Sequence, residues 1–283
     1  MPSAQTQPGA VNATLDIINR IVSLGPNRRI LKTLGKHPAA RRWLNYLSRS
    51  GGVFDTFSAA ESARARYHPA SRGHLNQNLI TSNFAISATL RCSDYPVLFW
   101  LKHIASEEPL RLFDFGGGQG QTFVAMASRL GEPSIEQWMV NDLPEVIGNA
   151  EASAFPSGRP DSIRFTSELT DGKLANVFLA AGSLHYWTES LASLLEALAT
   201  KPKHFIINRS PMRSDGSTYY TVQEGVHWAV PCVVREFSAL QRELEEQGYE
   251  LIDHWTAPEK FLHRPWLPEF SSPYQGAYFK RSG

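Results

Sequence analysis

Cysteine is scarce, with Cys92 and Cys232 the only two in 283 residues. They are too few and too far apart for a disulfide framework or a metal site, so no metal is expected, and both read as small hydrophobes suited to a reducing compartment. Long apolar runs are missing as well. No stretch of eighteen apolar residues occurs, and the first nineteen residues have no charged segment leading into an apolar block. Neither a membrane span nor a secretory leader is expected, and the sequence reads as cytoplasmic. Net charge is only +1, but residues 1–50 hold eight of the 28 Lys and Arg and one of the 27 acids, Asp16, leaving 20 bases against 26 acids beyond. The basic segment around Arg28, Arg41 and Arg49 could meet an anionic substrate, a nucleic acid or an acidic carrier protein, support a homo-oligomer, or be a solvated helix face. Aromatic interleaving stops at Trp43 and Tyr46 and no nucleic-acid-binding motif is present, which disfavours nucleic acid.

What the chain does have is ample apolar content, 42%, in two different rhythms. Residues 1–11 are Pro-, Gln- and Ser-rich and are expected to be disordered. Helical spacing then dominates residues 12–105, with Gly51-Gly52 as a hinge, so that residues 1–105 are expected to form a helical cap. From residue 106 onward strands alternate with helices, the pattern of a parallel sheet covered on both faces. Seven strands are expected, at residues 111–115, 137–141, 163–166, 176–181, 204–208, 250–255 and 276–280. The last two leave no room for a helix between them, so the final strand should run antiparallel. A long excursion, residues 209–234, mixes polar and aromatic side chains and is expected to act as a substrate loop within the 106–283 domain, or to be an ordinary packed excursion.

At residues 110–123 a strand runs into a glycine turn and then a helix. The dinucleotide fingerprint G-x-G-x-x-G fails in both registers, ending on Gln121 or Phe123, and no lysine is near for a phosphate-binding loop. These failures disfavour a dinucleotide-dependent reductase. What fits is Asp114-x-Gly116-x-Gly118-x-Gly120, with Gly117 between, where glycine lets backbone approach a ligand closely. Asp142 stands at the end of the next strand, twenty-two residues past Gly120, placed to accept two hydrogen bonds from ribose hydroxyls or to cap the helix that Pro144 opens. After the fourth strand, Gly182 and Ser183 leave room for a ligand, and His185 is placed either as a general base or as a partner for nearby backbone.

The glycine turn resembles motif I of class I S-adenosylmethionine-dependent methyltransferases. Asp94-Tyr-Pro-Val-Leu98, Phe113-Asp-Phe-Gly-Gly-Gly118, Gly182-Ser-Leu-His-Tyr186, Ile206-Ile-Asn-Arg-Ser-Pro211, Gln223 and Gly248-Tyr-Glu-Leu-Ile252 are similar to a subfamily of bacterial methyltransferases associated with polysaccharide gene clusters. The similarity runs from about residue 53 to the C-terminus, and the subfamily pattern favours aspartate where this chain has Asn208. The resemblance implies a Rossmann-like α/β fold, a seven-stranded, mostly parallel sheet with an antiparallel last strand, carrying an N-terminal helical extension. It implies S-adenosyl-L-methionine as cofactor, with Asp114 linked to the methionine amine, Leu143 beside the adenine, and Ser167 and Glu168 on the loop that meets the adenine edge.

The implied reaction is methyl transfer to oxygen or nitrogen of a small molecule or sugar-type metabolite. His185 or His227 would be the base, and Arg209, Tyr220, Gln223 and Trp228 would contact the acceptor. The alternative is a catalytically silent S-adenosylmethionine-binding regulator or scaffold. The polar and aromatic content of residues 209–234 favours the enzyme.

Overall fold

Val177-Phe-Leu-Ala-Ala181 is apolar at every position, and four of its five residues are buried. A strand with no polar face must be covered on both sides, which here fixes it at the centre of a mixed α/β sheet. The computed structural model describes residues 50–67, 89–131, 134–152, 160–224, 228–264 and 267–281, together with positions 33, 37 and 40. The expected disorder of residues 1–11, the helices before residue 50 and the basic segment lie outside the described residues.

In chain order the elements are β1 (Ser50–Phe54), α1 (Phe57–Tyr67), α2 (Asp94–Glu107), β2 (Leu110–Phe115), α3 (Gln121–Leu130), β3 (Ile135–Asn141), α4 (Pro144–Ala152), β4 (Ile163–Thr166), β5 (Val177–Ala181), α5 (Leu191–Ala197), β6 (His204–Arg213), β7 (Tyr219–Glu224), β8 (Ala229–Glu236), α6 (Phe237–Glu246), β9 (Tyr249–Leu262) and β10 (Ser272–Arg281). Pairings run β4-β3-β2-β5-β6 in parallel, and β10 then inserts antiparallel between β6 and β9. All seven strands read from the sequence are present in this layer, which is the Rossmann-like arrangement with an antiparallel last strand. α2 and α3 pack one face through Leu101, Ile104, Phe123 and Met126 against Trp138 and Val140. α5 and α6 close the other through Leu194, Leu195 and Leu240 against Phe178 and Phe205, whose rings stack at 4.3 Å.

Two expectations are corrected. Residues 209–234 are not a loop: β6 continues to Arg213 and pairs in parallel with the end of β8, and β7 and β8 form an antiparallel hairpin. Tyr219-Tyr-Thr-Val222 and Val230 to Val234 are rich in aromatic and β-branched residues that pack on a pleated surface, and they bury Tyr219, Val222, Cys232 and Val234. The second correction concerns Gly51-Gly52, which is part of β1 rather than a hinge among helices. β1 pairs antiparallel with β7, Ser50 opposite Gln223 and Phe54 opposite Tyr220. A two-stranded hairpin leaves an open edge, and a short glycine-bearing strand can satisfy it. The helical region is thus interrupted at residue 50, and the sheet among the described residues has ten strands.

Candidate functional site

β2 ends at Phe115, and the chain must turn sharply to enter α3. Gly116 and Gly118 do this with φ of +65° and +61°, values that side-chain-bearing residues rarely adopt. At Gly116 space is as restrictive as conformation, since a Cβ would stand 2.4 Å from the Cβ of Ser183, whereas at Gly118 it would meet only the flexible amide end of Gln121, at 2.7 Å. The Gly118 N–H donates to Oδ2 of Asp142 at 2.9 Å, and the Leu143 N–H donates to Oδ1 at 2.8 Å. Each carboxylate oxygen of Asp142 keeps one lone pair for a further donor. Burial pushes the Asp142 carboxyl up from its ordinary value, against the two backbone hydrogen bonds.

The turn opens onto a cleft of about 1080 Å³. Its wall takes residues from the C-terminal ends of β2, β3, β5 and β6, where doubly wound sheets bind ligands, and extends to β7, β8 and the outer end of β9. Gly116, Gly117, Gly118, Asp142, Leu143, Ser167 and Gly182 all line it. Asp114 does not. It is fully buried beneath the turn, with Oδ2 accepting the Trp138 indole N–H at 3.1 Å and Oδ1 unpartnered. Burial raises its carboxyl to about 7, against the Trp138 bond and the positive charge of Arg209. Gly120, the N-cap of α3, and Glu168, an exposed side chain, are also off the wall.

The far part of the cleft is more polar. His185 is buried on the turn after β5, its ring 4.1 Å from that of Tyr186 and 6.1 Å from that of Tyr274. Tyr186 donates to Oε1 of Gln223 at 2.8 Å, and Nε2 of Gln223 donates to the Tyr274 hydroxyl at 2.7 Å. Arg209 sits at a bulge in which Asn208 and Arg209 oppose the single residue Gly276. Its φ of +52° is a left-handed value uncommon for arginine, the kind of local strain that neighbouring contacts must hold in place. Here the holding contacts are an ion pair with Asp94, at the start of α2, and a 3.2 Å bond from Nη2 to the carbonyl of Ala181. Asn208 joins the cluster, donating to Asp94 at 3.1 Å and accepting the Trp255 indole N–H at 3.0 Å.

No family model and no curated protein matches the chain. Among solved structures it is similar to the magnesium protoporphyrin IX methyltransferase of Synechocystis PCC 6803, solved with bound S-adenosylmethionine, at 12% identity and a TM-score of 0.44 over 92% of this chain and 99% of that one. It is similar to the 1,6-didemethyltoxoflavin-N1-methyltransferase of Burkholderia thailandensis, solved with its substrate and S-adenosylhomocysteine, at 16% and 0.49 over 83% and 95%. A methyltransferase of Mesorhizobium loti aligns at 17% and 0.43 over 67% and 98%.

Of the acceptor-side residues read from the sequence, His185, Arg209, Gln223 and Trp228 line the same cleft. Tyr220 instead packs edge-on against Phe57, 6.3 Å between centroids. His227 lies outside the described residues. Glu224, one of the polar residues of the 209–234 excursion, is on the wall as well. Sequence reasoning missed Arg91, Tyr186, Lys260 and Tyr274 there, and only Tyr186, beside His185, carried a local signal. Among the described residues no group of three His, Cys, Asp or Glu could hold a metal ion, and no helix is long and apolar enough to cross a membrane.

Proposed function

We propose that the chain is an S-adenosyl-L-methionine-dependent methyltransferase acting on oxygen or nitrogen of a small molecule. The observation that carries this reading is one continuous cleft joining the Gly116–Gly118 turn and Asp142 to a separate polar compartment around His185 and Gln223. A cofactor site and an acceptor site are thereby brought into line. The residues fit the cofactor. The turn leaves no room for side chains at Gly116 and Gly117, Asp142 retains two acceptor positions suited to a ribose diol, and Leu143, 43% exposed, offers an apolar surface for a purine. α3 directs its free N–H groups and positive dipole end toward the turn, suiting a carboxylate.

Bound there, S-adenosylmethionine would supply an electrophilic methyl group on a positively charged sulfur. The chain's own part is alignment, since in-line displacement is accelerated chiefly by holding the reacting groups in register. Ser183, whose hydroxyl donates to the Phe115 carbonyl, locks the turn after β5 against the glycine turn. His185 then accepts the proton of the acceptor O–H or N–H on an imidazole nitrogen. The resemblance to the subfamily associated with polysaccharide gene clusters supports a sugar-type or surface-glycan precursor as one acceptor class, handled in a cytoplasmic setting. Asp114 acts beneath the turn in this reading, holding the Trp138 indole rather than touching the ligand.

The test is calorimetric titration with S-adenosylmethionine and S-adenosylhomocysteine, followed by assay of S-adenosylhomocysteine release with candidate acceptors. Binding in the micromolar range with acceptor-dependent release is the expected result. Heat from NADH and none from either sulfur compound would sink the reading, and binding without release for any acceptor would favour a silent regulator.

A further inference from the structure

β9 and β10 pair in register from Asp253 opposite Tyr278 to Ala257 opposite Tyr274, and resume with Phe261 opposite Pro273. Pro258, Glu259 and Lys260 are therefore extruded from β9 opposite a single peptide bond of β10. Bulges of this kind re-aim side chains, and all three residues line the cleft. Glu259 is tied down by the hydroxyl of Ser93, at the N-cap of α2. Lys260 is not tied down. Its ammonium lies 5.3 Å from the centroid of the Tyr274 ring and makes no ion pair among the described residues.

Beside it, two phenols are bridged by one amide. Tyr186 spends its proton on Gln223, and Gln223 spends one N–H on Tyr274, so the Tyr274 hydroxyl has its own proton still to donate. A spare phenolic donor, a second amide N–H and a lysine thus face one compartment. The rings of Trp228, Phe57 and Phe261 also line the cleft, beside the carboxylates of Glu224 and Glu259.

Resting on the methyl-transfer reading above, we propose that the acceptor is an aromatic organic acid whose carboxylate is held between the Lys260 ammonium and the Tyr274 hydroxyl, at the end of the Tyr186–Gln223–Tyr274 chain. Arg209 already has a carboxylate partner in Asp94 and donates to the Ala181 carbonyl, so Lys260 is the better placed cation. Lys260 is exposed, and Arg209 and Arg91 add positive charge near it against Glu259 and Asp94, so its ammonium is open to an anion. A bound carboxylate would accept from Lys260 and one phenol, using both oxygens.

The test pairs acids with their primary amides. Benzoate, 4-hydroxybenzoate and indole-3-carboxylate, each beside its amide, are titrated by NMR into the full chain, with and without saturating S-adenosylhomocysteine. The expected result is a preference of about tenfold or more for at least one acid over its amide, lost in Lys260→Met and weakened in Tyr274→Phe, while both variants bind S-adenosylhomocysteine as wild type does. Equal binding of acid and amide throughout, no binding of either, or a preference that persists in Lys260→Met overturns the proposal. An acid preference in a chain that does not bind S-adenosylhomocysteine would keep the anion site and discard methyl transfer.

Discussion

Asp142 and Asp114 are carboxylates on neighbouring strands, separated in role by burial alone. Asp142 keeps contact with the cleft, so Asp142→Ala removes an acceptor while leaving the fold in place, and a loss of roughly 1.5 to 3 kcal/mol of S-adenosylhomocysteine binding is expected by calorimetry. Unchanged affinity in the folded variant would take Asp142 out of the site. Asp114, raised from 3.8 to about 7, has the opposite consequence. Its folded state holds a proton that the unfolded chain releases, so the stability linked to it is fully present below the unfolded value and is lost as pH rises through about 7. Asp114→Asn cannot ionise and escapes that loss. Relative to wild type the variant should therefore gain roughly 2 kcal/mol on going from about pH 5 to about pH 7, measured by urea unfolding. A pH-independent difference between the two proteins would show that Asp114 ionises in the fold at its ordinary value.

At the scale of elements, the turn bearing His185 and Tyr186 is held from behind by β8. The buried Arg235 donates to the carbonyls of Trp187 at 2.6 Å, Glu189 at 2.8 Å and Leu184 at 3.4 Å. Arg235→Met would leave these carbonyls unpaired. A stability loss of roughly 2 kcal/mol is expected by urea unfolding, with reduced turnover at nearly unchanged cofactor affinity. Wild-type turnover in that variant would mean that the turn keeps its shape without the clamp.

The elements differ in how well the sequence reveals them. β2, β3, β5 and β6 are legible as short apolar runs ended by glycine, proline or an acid, and Gly116 to Asp142 is legible as spacing. β7 and β8 are misread because Gln223, Glu224 and Trp228 look like parts of a substrate loop, although the same residues at and just beyond a strand end line the cleft. β1, Ser-Gly-Gly-Val-Phe, has no periodicity to detect, and it is a strand because β7 offers an edge. The ion pair Asp94–Arg209 joins residues 115 apart, and Lys260 reaches the cleft only through a bulge, so neither could be read from local pattern.

At the scale of the molecule, β1 is the outermost support of the acceptor compartment, since Ser50 stands opposite Gln223. A chain beginning at residue 56 is expected to unfold at lower urea than one beginning at residue 49 and to lose turnover, while holding S-adenosylhomocysteine within about tenfold because the glycine turn lies five strands away across the sheet. Equal activity of the two truncations would remove β1 from any part in acceptor binding.

The position of β10 has a consequence for biosynthesis. It is an interior strand, bonded on one side to β6 and on the other to β9, yet it follows both in sequence, and it carries Tyr274 of the cleft wall. While the chain is being made, β6 and β9 exist before anything joins them, and the edge of β6 stays open to unwanted pairing until β10 arrives. Closure of the sheet and completion of the acceptor compartment are thus a single late event. A chain lacking β10 would carry a glycine turn with no acceptor site, and an exposed strand edge for quality control to recognise.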